Sequence, residues 1–280
     1  MNIVIAGVSG FLGGRIKKFF ENKNYKIFDY RKKLPNKINF IINVAGPDSD
    51  YCKKYPKKSQ RDRIKINKDI LKIIKKKRVD KYFYISTMHV YKMKTIIDEN
   101  TNLNFDNAYA RSHIEAEKFV KKKFKNICEF QIFRVSNCFG APHKLSSNSW
   151  KLVINNIVKN VFIKKKIIIK SNNDFCKDYI GISFFLRIID YYLSNSSKKK
   201  IINVSSENSK SILQVCRIIK QIYFKNFKKN IQLKYNFTSV SNKQIIKSKF
   251  INKKIKKKCN YFFLKDMEEL ILFCSKFFKK

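Results

Sequence analysis

The sequence predicts an α/β fold: a doubly wound parallel sheet with helices on both faces, followed by a smaller C-terminal lobe. Three observations predict it. The first 30 residues read strand, glycine turn, helix, strand; apolar runs then alternate with helical patterns to about residue 140; beyond that point the pattern breaks into shorter pieces. Strands joined through helices lie parallel, and the connecting helices cover both faces of the sheet. A chain of 280 residues that is 44% hydrophobic and 14% aromatic can bury one large core or two intimate ones, which excludes disorder as a description of the whole. The expected division is 1–140, plus a returning strand at about 201–206, for the sheet domain. Residues 141–200 and 207–280 form the smaller lobe.

The elements follow from the pattern in order. Residues 3–6 are a short apolar run, and Gly7-Val8-Ser9-Gly10-Phe11-Leu12-Gly13 follows at once. Ile16, Phe19 and Phe20 continue at helical spacing, and Tyr25 to Phe28 reads as the second strand. The run Phe40 to Val44 ends in Ala45-Gly46-Pro47, and Ile66, Ile70, Ile73 and Ile74 mark a helix leading into the strand Tyr82 to Ile85. Tyr109 to Phe124 reads as a helix and Phe130 to Val135 as a strand. In the second half, helices are expected at Trp150 to Val161, Phe184 to Leu193 and Ile212 to Phe227, with apolar runs at Ile167 to Ile169 and Ile201 to Val204.

The formal charge of +43 would suit a polyanion partner, yet only nine of the 63 basic residues are arginine. The lysine excess travels with isoleucine, asparagine and phenylalanine, as AT-rich codons produce, and its triplets are spread along the chain. A solvated lysine coat is therefore preferred to specific nucleic-acid binding, which leans on arginine. Seven cysteines without a C-x-x-C pair indicate reduced thiols, neither a disulfide framework nor a metal site. No apolar stretch reaches the roughly 18 residues that cross a bilayer and no signal pattern opens the chain, so a cytoplasmic protein without membrane insertion is expected.

Gly7, Gly10 and Gly13 let the backbone turn tightly, approach a pyrophosphate and pack the helix on the sheet, while the helix N-terminus offers amide donors at Phe11, Leu12 and Gly13. A glycine triplet alone is a weak signal. Here it follows a strand and opens a helix, the context a Rossmann-type dinucleotide site requires. The spacing G-x-x-G-x-x-G, with Phe11 and Gly14, resembles the extended short-chain dehydrogenase/reductase family, which includes the NAD-dependent epimerase/dehydratase enzymes acting on nucleotide sugars. That resemblance implies a cofactor-binding set of Gly7, Gly10, Phe11, Leu12, Gly13, Asn43, Ala45 and Gly46. The family's spacing from Gly7 lands on Arg31 at the end of the second strand, flanked by Lys32 and Lys33, with Asp29 two residues earlier. A guanidinium there would pair with a 2′-phosphate. NADP is accordingly preferred to NAD.

Further along, Ser86-Thr87 stands where the family orients the substrate oxygen, and Tyr109 to His113 takes the place of its Tyr-x-x-x-Lys motif. At i and i+4 the two side chains share a helix face. A phenol has a pKa of about 10, so Tyr109 transfers a proton near neutrality only if a cation stabilises the phenolate. The family uses lysine; this chain has His113, whose reference pKa of about 6.5 leaves it mostly neutral at pH 7. Three outcomes stay open: a working variant, a slow enzyme, or a dinucleotide-binding protein that has lost catalysis. On the first, His113→Lys is expected to keep or raise activity. Asn67 matches a family asparagine, and Asn137, in a segment similar to R-x-x-N-x-Y-G-P, is implied to face substrate with Ser86 and Thr87. Asp174-Phe175 and Asp178-Tyr179 offer two registers for a later motif, the second preferred. Met88 and His89 replace the acid pair of the dehydratases.

The resemblance thus implies an NAD(P)-dependent nucleotide-sugar epimerase or 4-ketoreductase, catalysed by Thr87, Tyr109 and His113, with a place in surface polysaccharide synthesis and a homodimeric state by analogy. The alternative from another class is a non-catalytic NADP-binding sensor of the same fold.

Overall fold

The computed structural model describes residues 1–92, 94, 96–169, 176–235 and 259–278. They fall into two compact units. The first is built from 1–92, Asp98–Val135 and Ile189–Val204; the second takes most of the remainder. The first unit's main stretch ends at Val135, against the expected 140, and its return runs Ile189–Val204, against about 201–206.

In the first unit, β1 (Asn2–Ala6), β2 (Lys26–Asp29), β3 (Lys37–Asn43), β4 (Arg78–Thr87), β5 (Glu129–Val135) and β9 (Ile201–Val204) form one six-stranded sheet in the order β2-β1-β3-β4-β5-β9. Every neighbouring pair is parallel. The crossovers are α1 (Phe11–Glu21), α2 (Ser49–Lys54) with α3 (Pro56–Lys76), and α4 (Ala108–Phe124). Strands buried on both faces read as unbroken apolar runs, and Ile3, Val4, Ile5 and Ala6 are fully inaccessible, as are Ile41 and Ile42 on β3. On one side Ile70 and Ile74 of α3 and Val120 and Phe124 of α4 pack with Ile41, Tyr82 and Ile132 of the sheet. Each such side chain contributes about 1.5–3 kcal/mol relative to exposure. Helix starts follow capping chemistry: α3 carries Pro56 in its first turn, where a missing N–H costs nothing. Asn107 caps α4, its side chain accepting from the amides of Tyr109 and Ala110. α2 was not anticipated; Asp48 caps it by accepting from the Tyr51 amide.

The second unit holds two small parallel sheets, β6 (Asn137–Phe139) with β8 (Tyr179–Gly181) and β7 (Lys166–Ile169) with β10 (Gln232–Tyr235). With α5 (Val153–Lys164), α7 (Ile212–Phe227) and α8 (Cys259–Phe278) they enclose a core that includes Val158, Ile219, Met267 and Ile271. The chain passes between the units within α6 (Ile182–Ser194). The first register considered for the later motif, Asp174-Phe175, lies outside the described residues.

Candidate active site

In the first unit the strand order reverses between β1 and β3, and in open α/β sheets ligands bind beyond the carboxyl ends of the strands at such a point. The residues there are Gly7 and Ala45. Gly7 has φ +93°, and a β-carbon on it would come within 2.9 Å of the Ala45 amide nitrogen. A β-carbon on Gly13 would lie 2.0 Å from the Gly7 carbonyl oxygen, so only glycine lets α1 start this close to the strand end. Gly10 is the N-cap of α1 and supplies no side-chain cap, which leaves the first-turn amides of Phe11, Leu12 and Gly13 without an intrahelical partner. Asn43 shapes the facing loop: its Oδ1 accepts from the Ala45 amide at 3.0 Å and its Nδ2 donates to the Tyr82 hydroxyl at 3.0 Å. That hydroxyl in turn donates to Asn67 at 2.6 Å.

At the end of β4 and the start of α4, Thr87, Tyr109 and His113 come together. The rings of Tyr109 and His113 stand edge to face with centroids 4.8 Å apart. Thr87 Oγ1 accepts from the His89 amide at 3.3 Å, and the Thr87 side chain is close enough to Tyr109 to favour its phenolate. His113 is buried; its Nδ1 lies 3.0 Å from the Tyr84 hydroxyl, and its Nε2 has no hydrogen-bond partner among the described residues.

A residue the sequence analysis passed over completes the cluster. Arg63, on α3, is 3% exposed. Its guanidinium carbon sits 5.6 Å from the centroid of the Tyr109 ring. Nε donates to Ser112 Oγ at 3.1 Å, and Nη2 donates to the Pro47 carbonyl at 2.6 Å. The Gly46 backbone lies directly against it. The sequence does carry a signal for it: Ser59, Arg63, Asn67, Ile70 and Ile74 recur at helical spacing and are the buried face of α3.

Electrostatics follow from this placement. Loss of water pushes the Tyr109 phenol above its ordinary value; the Arg63 charge and the nearby Thr87 hydroxyl pull it back. Burial, then Arg63, then His89 hold His113 well below the usual imidazole range, so its ring is neutral at pH 7. The same burial raises Tyr84, again opposed by Arg63.

The family model for the NAD dependent epimerase/dehydratase family matches residues 29–205. The chain belongs to that family. The matched span begins after the glycine turn, so the turn stands on its own geometry. Among curated relatives the chain is 22% identical over 259 residues to the ADP-L-glycero-D-manno-heptose-6-epimerase of Brachyspira hyodysenteriae (strain ATCC 49526 / WA1), covering 79% of this chain and 81% of that protein. Among solved structures it is similar to RMD from Pseudomonas aeruginosa complexed with NADPH, with a TM-score of 0.81, 14% identity and coverage of 98% and 97% of the two chains. It is also similar to the UDP-glucuronic acid 4-epimerase of Bacillus cereus in complex with UDP-glucuronic acid and NAD, with a TM-score of 0.73, 16% identity and 99% coverage of each chain. Identities this low establish the epimerase/dehydratase fold alone.

Other residues expected at the family's site have partners of their own. Ser86 donates to Glu117 at 2.6 Å and is buried. Asn137 is in the second unit, where its Nδ2 donates to the Asp178 carbonyl at 2.9 Å. Arg31 stands at the end of β2 as expected, but paired with Asp29 at 3.0 Å. Among the described residues no helix is long and apolar enough to cross a membrane.

Proposed function

We propose that the chain is an NAD(P)-dependent epimerase or 4-ketoreductase acting on a nucleotide-linked sugar, with a cytoplasmic role in surface polysaccharide synthesis. The observation that carries this is the convergence of Thr87, Tyr109 and His113 in the same unit as the glycine turn. A chain of contacts runs from Gly7 through the Ala45-Gly46 loop and Arg63 to the Tyr109 ring. The buried and unpartnered Nε2 of His113 fits a dinucleotide, because such an atom needs a polar ligand group. The heptose epimerase likeness supports the sugar class, and the NADPH and NAD complexes among structural neighbours support the cofactor.

The first-turn amides of α1 and the Ala45-Gly46 loop would hold the diphosphate, and His113 Nε2 the nicotinamide ribose. Bound there, the nicotinamide supplies the acceptor or donor of hydride. Thr87 holds the reacting sugar oxygen, and Tyr109 takes its proton in oxidation or returns one in reduction. The Thr87 side chain lies beside the Tyr109 phenol, so one sugar hydroxyl could reach both.

The test is turnover of a panel of nucleotide sugars with NAD or NADP. Tyr109→Phe should lower turnover by about 10²–10⁴-fold while cofactor binding persists. Near wild-type turnover would remove Tyr109 from the mechanism. Tight cofactor binding with no hydride exchange across the panel would favour the sensor reading, which the neutral His113 and raised Tyr109 speak for.

A further inference from the structure

A phenol that must ionise needs a cation, and His113 is not one at neutral pH. We propose that Arg63 is the positioning residue that supplies the permanent positive charge for Tyr109, a role no residue of the Tyr109 to His113 segment fills. The inference rests on the reading of Tyr109 as the proton-transfer residue.

Three observations carry it. First, the guanidinium is fixed against the ring it would serve: Ser112 and the Pro47 carbonyl hold it from two sides, and Ser112 Oγ itself donates to the Tyr109 carbonyl at 2.8 Å. Secondly, its partners are neutral. The ion pairs among the described residues leave Arg63 out, so its charge is not spent on a carboxylate. A buried cation without a counter-ion is costly, and a surrounding structure that keeps one holds a ready field for an anion that forms nearby. Thirdly, arginine keeps its proton at every working pH, whereas burial lowers the pKa of a lysine and weakens its hold on the charge. When Tyr109 yields its proton to a keto oxygen, or takes one from a hydroxyl, Arg63 therefore remains the fixed charge and exchanges nothing.

The ionisable groups around Tyr109 are Asp48 and Cys52 from α2 and its cap, Tyr84 from β4, His89 just beyond β4, His113 from α4 and Arg63 from α3. Asp48 and Cys52 disfavour the phenolate, which leaves Arg63 as the largest opposing charge. Its removal should move the ionisation of Tyr109 up by about one to two pH units.

The experiment is the pH dependence of kcat/KM for sugar oxidation in wild type, Arg63→Met, Arg63→Lys, His113→Lys and Arg63→Met/His113→Lys. Arg63→Met should lose about ten- to a hundredfold at neutral pH and recover on the alkaline side. Arg63→Lys should lose less, and His113→Lys should restore neutral activity in the Arg63→Met background while giving no gain in wild type. Arg63→Gln, which keeps a donor for Pro47 and Ser112, carries the test if Arg63→Met does not fold. An equal loss at every pH, or an identical effect of His113→Lys in both backgrounds, would overturn the proposal. A substrate-free readout separates it from the functional reading: the near-ultraviolet phenolate band of wild type minus Tyr109→Phe, followed against pH with NADP bound. That band should shift upward in Arg63→Met even if no nucleotide sugar turns over, and an unmoved band refutes the role of Arg63 whatever the reaction.

Discussion

Two arginines are buried in the first unit, and they are used in opposite ways. Arg134, on β5, meets Glu117 of α4 with both side chains 2% exposed, Nη2 at 2.6 Å and Nε at 3.1 and 3.2 Å from the carboxylate oxygens. Its guanidinium also lies 4.7 Å from the centroid of Tyr91. Arg63 has no ion-pair partner among the described residues; the Pro47 carbonyl, the Ser112 hydroxyl and the Tyr109 ring answer it. A charge answered by a carboxylate joins helix to sheet and projects little field; a charge answered by neutral dipoles still acts on whatever ionises beside it. The difference separates a structural cation from a functional one within a single unit.

The largest expected effect breaks the paired side. Glu117→Ala strands Arg134 in the interior and leaves the Ser86 hydroxyl without its acceptor, so it should cost about 3–5 kcal/mol in urea unfolding. Arg63→Met removes a charge that has no partner to strand, and stability should change by no more than about 1 kcal/mol, since the lost hydrogen bonds are offset by the avoided desolvation. Equal losses in the two variants would show that Arg63 is structural and would dissolve the comparison.

A smaller effect sharpens it. His113 is held neutral first by burial and then by Arg63, whereas in the unfolded chain it takes a proton at about 6.5. Below that pH the unfolded state binds more protons than the native one, so stability is complete above it and falls as the pH drops toward the native value. Every pH unit between the two values is worth about 1.4 kcal/mol. Between about pH 6.5 and 5, above the carboxylate range, wild type should lose stability with falling pH. His113→Gln should flatten that slope, and Arg63→Met should reduce it without abolishing it, because burial is the larger cause. A slope untouched by His113→Gln would place the acid sensitivity elsewhere.

The same physics explains what could be read without the structure. Strands β1, β3, β4, β5 and β9 are buried on both faces and announce themselves as apolar runs, and the glycine turn is legible because its spacing is local. Thr87, Tyr109 and His113 lie at strand and helix ends, where position follows from the order of elements. Arg63 escaped notice because a chain so rich in lysine makes one more basic residue look solvated, although its periodicity with Asn67 and Ile70 marks the inner face of α3. By charge alone His113 is a weak substitute for the family's lysine. A lysine there would be a second buried cation beside Arg63, so whether His113→Lys keeps or raises activity should depend on Arg63. Short strands such as β6 and β10 were missed, since they exist only through pairing with partners remote in sequence.

A third arginine extends the contrast to the surface. Arg31, largely exposed, is held by Asp29, whose carboxyl its hydrogen bond keeps below the usual range. Asp29 ends β2, where a carboxylate would take the ribose hydroxyls of NAD, while Arg31 beside it would take the 2′-phosphate of NADP. Water screens this pair, so its loss should hardly alter stability and the consequence should appear in cofactor choice. If NADP is the cofactor, Arg31→Ala should weaken NADPH about tenfold, the loss of one charge-assisted contact, and leave NADH unchanged or tighter because Asp29 is released. Fluorescence titration with both reduced cofactors reads the ratio directly. Equal effects on the two would assign the corner to Asp29 and NAD, with Arg31 serving only to hold that carboxylate in place.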